Sequence, residues 1–321
     1  MSNWKSFSKQ YYATASFPSS LYLARGMLSK GEMQMLFSAT SRFFSGRGLI
    51  VDAGAFAGMS AYCLAKGLKH NGDLVSDGTV IHSFDIFKAD DAYTRDYLKN
   101  VFFTSQDVNG NRKEILYSPD VGEDFLDVFW HQNHDNRSLI EVHQGDFLEK
   151  SWGKGGIEIL FVDVCKTLRL QSHLLSSFFP SLIPGESVVI QQDYHHPYHP
   201  YIHVAMEVLE EYFQVLISQE GGSRVYLVKE IPPLSIINEL IDYSYDAQTL
   251  NTIFERIVIK SPESERALLR LANVIALVQR SFRADALQKA IDLMSQLDEN
   301  KHLWLRQELK LLVERLNSAD S

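Results

Sequence analysis

One short stretch, in which a strand, a glycine turn and a helix follow one another, constrains this chain more than any other. Residues 48–64 read GLIVDAGAFAGMSAYCL. The apolar run Leu49–Val51 has the composition of a buried parallel strand, Gly54 and Gly58 bracket a tight turn, and a helical pattern begins at Met59. Such a unit places backbone N–H groups at a helix N-terminus beside a ligand. The stretch therefore predicts a ligand-binding α/β fold.

Composition limits the class of protein. Of the 321 residues, 45% are hydrophobic and 22% are charged, which fits a globular protein of one large or two modest domains. The formal net charge of −9 argues against a nucleic-acid or anionic-membrane surface. No apolar run is long enough for a membrane span, and residues 1–10 lack the apolar region of a signal peptide. We expect a cytoplasmic protein in which Cys63 and Cys165 are buried, reduced thiols.

Strand-like and helix-like segments alternate between residues 48 and 231. The predicted strands are Leu49–Ala53, Val80–Phe87, Leu139–Phe147, Ile157–Cys165, Glu186–Asp193, Phe213–Gln219 and Arg224–Lys229. The last two are too close together for a crossover helix, so they predict an antiparallel hairpin. The sequence thus predicts an α/β fold with a doubly wound, mostly parallel seven-stranded sheet whose last strand is antiparallel.

Three further segments flank or interrupt the sheet domain at 48–231. Residues 1–47 are expected to form an N-terminal helical cap, in which Ser29 is the N-cap residue of a helix. Residues 103–138 form a connection longer than the ~12–15 residues common in compact domains, and we expect this insertion to cover the substrate. Residues 232–321 predict a C-terminal helical region with an apolar seam at Leu268, Leu271, Ile275 and Val278. We expect these helices to pack on one another or to form a homodimer.

Each predicted parallel strand carries an aspartate at or near its carboxyl end. Ligands of open α/β sheets bind outside these ends. A single aspartate at such a place can simply cap the next helix. Five in consecutive units favour a shared cleft, and they are Asp52, Asp85, Asp146, Asp163 and Asp193.

Two kinds of ligand compete for the glycine turn. A dinucleotide fingerprint requires Gly-x-Gly-x-x-Gly after the strand. The turn here reads Gly54-Ala55-Phe56-Ala57-Gly58, so Ala-Phe replaces the middle glycine that lets a pyrophosphate approach the backbone. This departure disfavours a nicotinamide oxidoreductase.

The segment Asp52–Ser60 resembles the first motif of the class I S-adenosylmethionine-dependent methyltransferases. That motif is an acidic residue, any residue, a glycine, a variable turn and a second glycine. The resemblance extends over about residues 48–230, since the closing hairpin is also typical of that family. It implies S-adenosylmethionine as the cofactor and a methyltransferase as the activity.

The resemblance also implies a set of cofactor-binding residues. Asp85 would hold the ribose hydroxyls, because the family carries an acidic residue at the end of its second strand. The pair Asp146-Phe147 would meet the adenine, and Asp52 would act near the methionine end or fix the turn. The remaining implied contacts lie on the turn or at the end of the fourth strand, and they are Gly54, Ala55, Phe56, Gly58, Ser60 and Asp163.

A histidine-rich turn follows the fifth predicted strand. Residues 190–203 read IQQDYHHPYHPYIH and contain four histidines. Methyl transfer is an in-line displacement that requires alignment and, for a hydroxyl acceptor, a base. Because histidine titrates near working pH, we expect His195 or His196 to be the general base, with Asp163 and Asp193 also catalytic.

The same turn has two alternative interpretations besides a general base. It can be a purely structural aromatic turn. It can also form a divalent metal site from Asp163, Asp193, Gln192 and His195, which resembles the metal-dependent sugar O-methyltransferases of natural-product pathways. In those enzymes an acid is expected where Gln192 stands, and this departure disfavours a hard cation such as Mg²⁺. We therefore predict a site without metal.

These observations predict a methyltransferase that transfers the methyl group of S-adenosylmethionine to a small molecule. We expect a hydroxyl oxygen as the acceptor, with nitrogen as the alternative. A different class of function also fits the sequence. It is a non-catalytic interaction protein that keeps the fold and binds a partner through residues 232–321. Neither nucleic acid nor a membrane is expected as a partner.

Overall fold

The computed structural model describes residues 3–13, 15–72, 78–102, 105–106, 112–113, 119–299 and 301–318. The chain divides into two compact units. The first comprises Met1–Val164, Ser177–Gln191 and Gln214–Ile231. The second comprises Cys165–Ser176, Gln192–Phe213 and Pro232–Ser321.

A seven-stranded sheet forms the centre of the first unit, and a two-stranded ribbon accompanies it. The strands in chain order are β1 (Leu49–Ala53), β2 (Ile81–Asp85), β3 (Ser105–Gln106), β4 (Arg112–Lys113), β5 (Ile140–Gln144), β6 (Ile157–Val162), β7 (Val188–Gln191), β8 (Phe213–Glu220) and β9 (Ser223–Val228). The large sheet has the order β5-β2-β1-β6-β7-β9-β8. Its pairs from β5 to β7 are parallel, whereas β9 runs antiparallel to β7. The predicted fold class is confirmed.

The central strands are buried on both faces, as their apolar composition predicts. Every residue of β6 and β7 is buried, and so are Ile50–Ala53 of β1. Helices α1 (Lys9–Ala13), α2 (Lys30–Ser38), α3 (Met59–Leu68), α4 (Ala92–Phe102) and α5 (Leu126–Gln132) belong to the same unit. This unit fixes the carboxyl ends of five parallel strands along one edge.

The predicted cap of the second helix is present. The Ser29 hydroxyl accepts the Glu32 N–H at 3.2 Å, and the Glu32 carboxylate accepts the Ser29 N–H at 2.8 Å, which is a complete capping box. Upstream of it, the buried Tyr12 hydroxyl donates to the Glu220 carboxylate at 2.6 Å. The N-terminal segment is therefore held to the strand hairpin by a specific hydrogen bond.

Three of the predicted strands end before the aspartate that the sequence assigned to their last residues. Strands β5, β6 and β7 end at Gln144, Val162 and Gln191, so Asp146, Asp163 and Asp193 lie in the segments that follow them. Backbone conformation explains two of these ends, because Gly145 (φ +123°) and Asp193 (φ +61°) leave the extended region. The aspartates remain at the carboxyl ends of the strands but belong to loops.

The second unit is helical. It contains most of α6 (Leu168–Ser177), then α7 (Pro200–Val208), α8 (Leu234–Asp242), α9 (Ala247–Lys260), α10 (Glu263–Gln279), α11 (Arg283–Gln296) and α12 (Leu303–Ser318). Helix α10 packs against α7, α9 and α11, and α11 packs against α12. In the described residues, no helix combines the length and the apolar character that crossing a bilayer requires.

The predicted insertion at 103–138 falls partly outside the described residues, which leave out 103–104, 107–111 and 114–118. Its described part contains the short ribbon of β3 and β4, helix α5 and a 3₁₀ turn at His134–Leu139. The two cysteines, Cys63 and Cys165, are both buried, as predicted, and they are not joined in a disulfide.

Candidate functional site

The glycine turn is held tightly against the rest of the first unit. Gly54 (φ +94°) and Gly58 (φ +91°) adopt the left-handed backbone that favours glycine. A Cβ atom on Gly54 would lie 2.7 Å from the Asp163 carbonyl carbon, and one on Gly58 would lie 2.4 Å from Asn133 Nδ2. Close packing of this protein's own chain therefore requires both glycines.

Asp85 joins the glycine turn to the end of β2. Its two carboxylate oxygens accept the backbone N–H groups of Phe56 and Phe87, both at 2.8 Å. Burial raises the Asp85 pKa, and these N–H groups act in the opposite direction. Each carboxylate oxygen keeps a second lone pair, so Asp85 can still accept hydrogen bonds from a ligand.

Asp52 is a fully buried carboxyl group beside this turn. The Ser83 hydroxyl donates to its Oδ2 at 3.0 Å, and burial raises its pKa to about 7. The hydroxyls of Ser60 and Ser83 lower this pKa, whereas the charges of Asp163 and Asp85 raise it further. Asp52 therefore stabilises the turn from within the core, through hydrogen bonds with Ser60 on α3 and Ser83 on β2.

The loop after β5 lies beside Asp85, because the Gly145 N–H donates to the Asp85 carbonyl at 3.0 Å. Asp146 is exposed, and its Oδ1 accepts the Leu148 N–H at 2.9 Å. The Phe147 ring is buried and stacks on Phe178 at 4.9 Å. Asp146 is therefore accessible to a ligand, whereas one face of the Phe147 ring is covered by protein.

Asp163 and Phe56 complete the set around the turn. The Asp163 N–H donates to the Ala53 carbonyl at 2.7 Å, which holds the end of β6 against the end of β1. The Phe56 residue adopts φ +45°, and its ring packs against Tyr97 and Phe125 at 5.8 Å and 5.3 Å. The bulky side chain that disfavoured a pyrophosphate thus packs within the protein. Ala55 is buried, and its N–H donates to the Phe84 carbonyl at 3.1 Å.

The insertion contributes its helix α5 to the turn. The Gln132 side-chain amide donates to the Ala57 carbonyl at 3.0 Å and also accepts the Arg25 N–H at 2.6 Å. The buried Asn133 amide donates to the Gly58 carbonyl at 3.0 Å. The described part of the insertion therefore fixes the conformation of the glycine turn.

The histidine-rich turn belongs to the second unit. His195 is 9% exposed, and its Nδ1 lies 3.7 Å from the Glu265 carboxylate on α10. His196 is exposed, and its ring stacks on His199 at 4.6 Å. The two candidate bases thus have different surroundings, since His195 is enclosed by helices and His196 is accessible.

Charged and polar neighbours surround His196 and His199. Lys166 donates to the Asp193 carboxylate, and His199 Nε2 lies 3.8 Å from the same carboxylate. Partial burial lowers the pKa of His196, and it lowers the pKa of His199 to about 4. Both imidazoles are therefore neutral at neutral pH, the state in which a histidine can accept a proton.

His199 is the N-cap of α7 and Pro200 is its first residue, a position that suits proline. The Tyr201 hydroxyl lies 2.9 Å from His199 Nδ1 and donates to the Cys165 carbonyl at 3.2 Å. His203 is buried on α7. The four histidines of this turn thus have separate environments.

Sequence reasoning missed several residues of the site. Ser83 was missed because its place opposite Asp52 depends on the register of β1 and β2. Ile86 follows Asp85 directly and is 44% exposed, so an apolar side chain lies at the same strand end. The signal for Ile86 was present in the stretch IHSFDIF, in which an apolar residue follows the acid.

Comparison with known proteins gives one informative result. Residues 51–194 match a family model described as a methyltransferase domain. No curated protein matches the chain at a significant level.

Several solved structures resemble the chain weakly. An O-methyltransferase from Bacillus cereus in complex with SAH is 13% identical, with 71% of this chain and 100% of that chain covered and a TM-score of 0.40. An SAH-bound methyltransferase from Podospora anserina is 10% identical, with 72% of this chain and 89% of that chain covered and a TM-score of 0.38. A TDP-rhamnose 3'-O-methyltransferase of calicheamicin biosynthesis is 15% identical, with 68% of this chain and 90% of that chain covered and a TM-score of 0.41. The strand order of the sheet, and not these weak likenesses, defines the fold.

Proposed function

We propose that this chain, whose residues 51–194 match the model of a methyltransferase domain, is a class I S-adenosylmethionine-dependent methyltransferase that methylates a hydroxyl oxygen of a small molecule. The observation that carries the proposal is the contact between Asp85 and the glycine turn. A carboxylate fixed by two backbone N–H groups at the end of β2 is suited to accept hydrogen bonds from a pair of vicinal hydroxyls.

We assign the ribose hydroxyls of the cofactor to Asp85 and its adenine to the neighbouring edge. Ile86 offers an exposed apolar surface there, and Asp146 offers an exposed carboxylate that can accept from an amine. We assign to Asp52, Gly54, Ala55, Gly58 and Ser60 the task of fixing the turn, because each of them is enclosed or packed within the protein. When bound, the cofactor supplies a methyl group on a positively charged sulfur.

We assign the general base to His196 in preference to His195. A base must reach the acceptor hydroxyl and must be unprotonated at working pH. His196 is exposed and has a lowered pKa, whereas His195 is enclosed next to Glu265. The Asp193 carboxylate, which accepts from Lys166, would favour the imidazolium form after proton transfer.

Binding of S-adenosylhomocysteine to the purified chain tests the proposal directly. We expect one saturable site with micromolar affinity by isothermal titration calorimetry, and NADH as the matched nucleotide control should not bind. A folded chain that binds NADH and not S-adenosylhomocysteine would contradict the cofactor assignment. Binding of S-adenosylhomocysteine without turnover on any hydroxyl or amine acceptor would instead favour the non-catalytic interaction protein.

A further inference from the structure

A cluster of three side chains that commonly bind metals lies on the sheet of the first unit. His82 is on β2, and Glu141 and His143 are on β5. Residues two apart on a strand point to the same face, and His82 is paired with Glu141 in the parallel register. Among the residues that the structure describes, these three form the one group of three potential metal ligands that lie close together.

The distances between the ligand atoms suit a small tetrahedral ion. His82 Nδ1 lies 3.0 Å from His143 Nε2 and 3.7 Å from a Glu141 oxygen, and His143 Nε2 lies 3.4 Å from the other Glu141 oxygen. Bonds of about 2.0–2.1 Å to a tetrahedral zinc ion separate its ligand atoms by about 3.3 Å. The three observed separations bracket that value.

The surrounding side chains hold both imidazoles in place. The His143 ring stacks on Phe84 at 4.3 Å with an interplanar angle of 11°. The His82 ring meets Trp152 edge-on at 5.1 Å, and its side chain is 3% exposed. Glu141, by contrast, is 40% exposed, so the cluster is closed on the protein side and open to solvent at the carboxylate.

We propose that His82, Glu141 and His143 bind a divalent transition-metal ion of the zinc type, with its fourth position open to solvent. Two imidazoles and one carboxylate form a donor set that zinc accepts, and imidazole nitrogen favours zinc, copper or nickel over magnesium or calcium. The site lies within two adjacent strands, so the ion would connect the edge strand β5 to β2. This proposal is independent of the methyl-transfer proposal.

The two imidazoles of the cluster are hydrogen-bonded to each other. Their two facing nitrogens share one hydrogen bond, so one of them carries a proton. Binding requires that ring to move its proton to the other nitrogen, with no net release from the imidazoles.

Lys154 is the neighbour that opposes metal binding. Its Nζ atom lies 2.8 Å and 3.0 Å from the two oxygens of Glu141. A metal ion would compete with this ammonium group for the carboxylate. Removal of the lysine should therefore strengthen metal binding. If the pair of Lys154 and Glu141 were only structural, its removal would leave the metal affinity unchanged.

Titration of Zn²⁺ into chelator-treated full-length protein tests the site, with isothermal titration calorimetry as the readout. We expect one saturable site that Glu141→Gln and His143→Ala each weaken by at least about tenfold, because loss of even an outer partner of a metal ligand has an effect of that size. Lys154→Ala should bind zinc more tightly. The matched control is His134→Ala, which removes an exposed histidine elsewhere and should leave binding unchanged.

A second readout uses Trp152. Co²⁺ bound beside His82 should quench the fluorescence of this tryptophan, and Trp152→Phe should remove most of that quenching. Far-UV circular dichroism and a thermal melt establish that each variant is folded, and the two less buried ligands are mutated so that folding is preserved. Absence of saturable zinc binding to the parent protein would overturn the proposal. Unchanged binding in folded Glu141→Gln and His143→Ala, or equal loss in His134→Ala, would also overturn it.

Discussion

The Asp85 carboxylate accepts the backbone N–H of Phe56 at 2.8 Å, across 29 residues of sequence. This bond connects the end of β2 to the middle of the glycine turn that follows β1. The other Asp85 carboxylate oxygen accepts the Phe87 N–H, so the side chain cannot rotate without the loss of a part-buried hydrogen bond. The proposed ribose contact therefore has a fixed position before any ligand binds.

Replacement of Asp85 by alanine should weaken S-adenosylhomocysteine binding by about 2 kcal/mol, the scale of a lost hydrogen bond to a charged group. Calorimetry measures the affinity, and a thermal melt reports how far the turn depends on the same side chain. Asp96→Ala is the matched control, because Asp96 is exposed and pairs with its neighbour Arg95. Unchanged affinity in folded Asp85→Ala would contradict the assignment.

Replacement of His196 by alanine should lower kcat by about 10²–10⁴-fold, the usual contribution of a general base. S-adenosylhomocysteine affinity and Tm should stay the same, since His196 is exposed. Release of S-adenosylhomocysteine with a panel of phenol, catechol and sugar acceptors provides the assay. In His195→Ala we expect a lower Tm instead, because that ring is buried next to Glu265. Full turnover in His196→Ala would exclude it as the base.

Gly54→Ala should destabilise the first unit by about 2 kcal/mol or more, because φ +94° is strained for alanine and the new Cβ would lie 2.7 Å from Asp163. Urea unfolding measures the difference. The matched control is Gly72→Ala, since a Cβ there meets nothing within 4 Å and the backbone does not require glycine. Equal stability of Gly54→Ala and Gly72→Ala would show that the turn can relax.

Acid should destabilise the protein through His82, whose pKa falls from 6.5 to about 4 in the folded chain. The unfolded chain binds the proton first, so stability is complete above about pH 6.5 and decreases as the pH falls toward 4. A single buried group with this shift contributes about 3 kcal/mol at most. Its charged or titratable neighbours, Glu141, His143 and Lys154, also affect the shift.

Chemical unfolding at a series of pH values measures that decrease. His82→Leu should flatten the stability profile between pH 6.5 and about 4, whereas His134→Leu, which removes a histidine that is 70% exposed, should leave its slope unchanged. A slope that is the same in folded His82→Leu and in the parent protein would assign the acid sensitivity to other groups.

The sequence was sufficient to predict the sheet because strand composition, turn length and glycine positions are local properties. The run Leu49–Val51, the glycine pair and the short β8–β9 connection each carried their own signal. The ends of strands were less predictable, since the positive φ of Gly145 and Asp193 depends on loops that follow. Helix α10 also differs from the expected seam, because Leu271–Leu277 is buried on all sides by the neighbouring helices.

The contacts of the site were harder to predict, for a physical reason. Ser83 and Asp52 meet only because β1 and β2 pair in one particular register, and a shift by one residue would send Ser83 to the other face. The same dependence applies to His82 and His143, which are 61 residues apart in the chain. These contacts cannot be inferred from a single sequence when the register of its strands is unknown.

The raised pKa of Asp52 has a consequence for the order of events at the site. Its carboxyl group feels the negative charges of Asp163 and Asp85, so a cation bound near them would lower the energy of all three groups. In the proposed reaction the methyl donor carries a positive sulfonium, and the product that remains after transfer has a neutral sulfur. These three acids would thus attract the charged donor more strongly than the neutral product. Electrostatics alone would therefore favour replacement of the product by a new donor molecule.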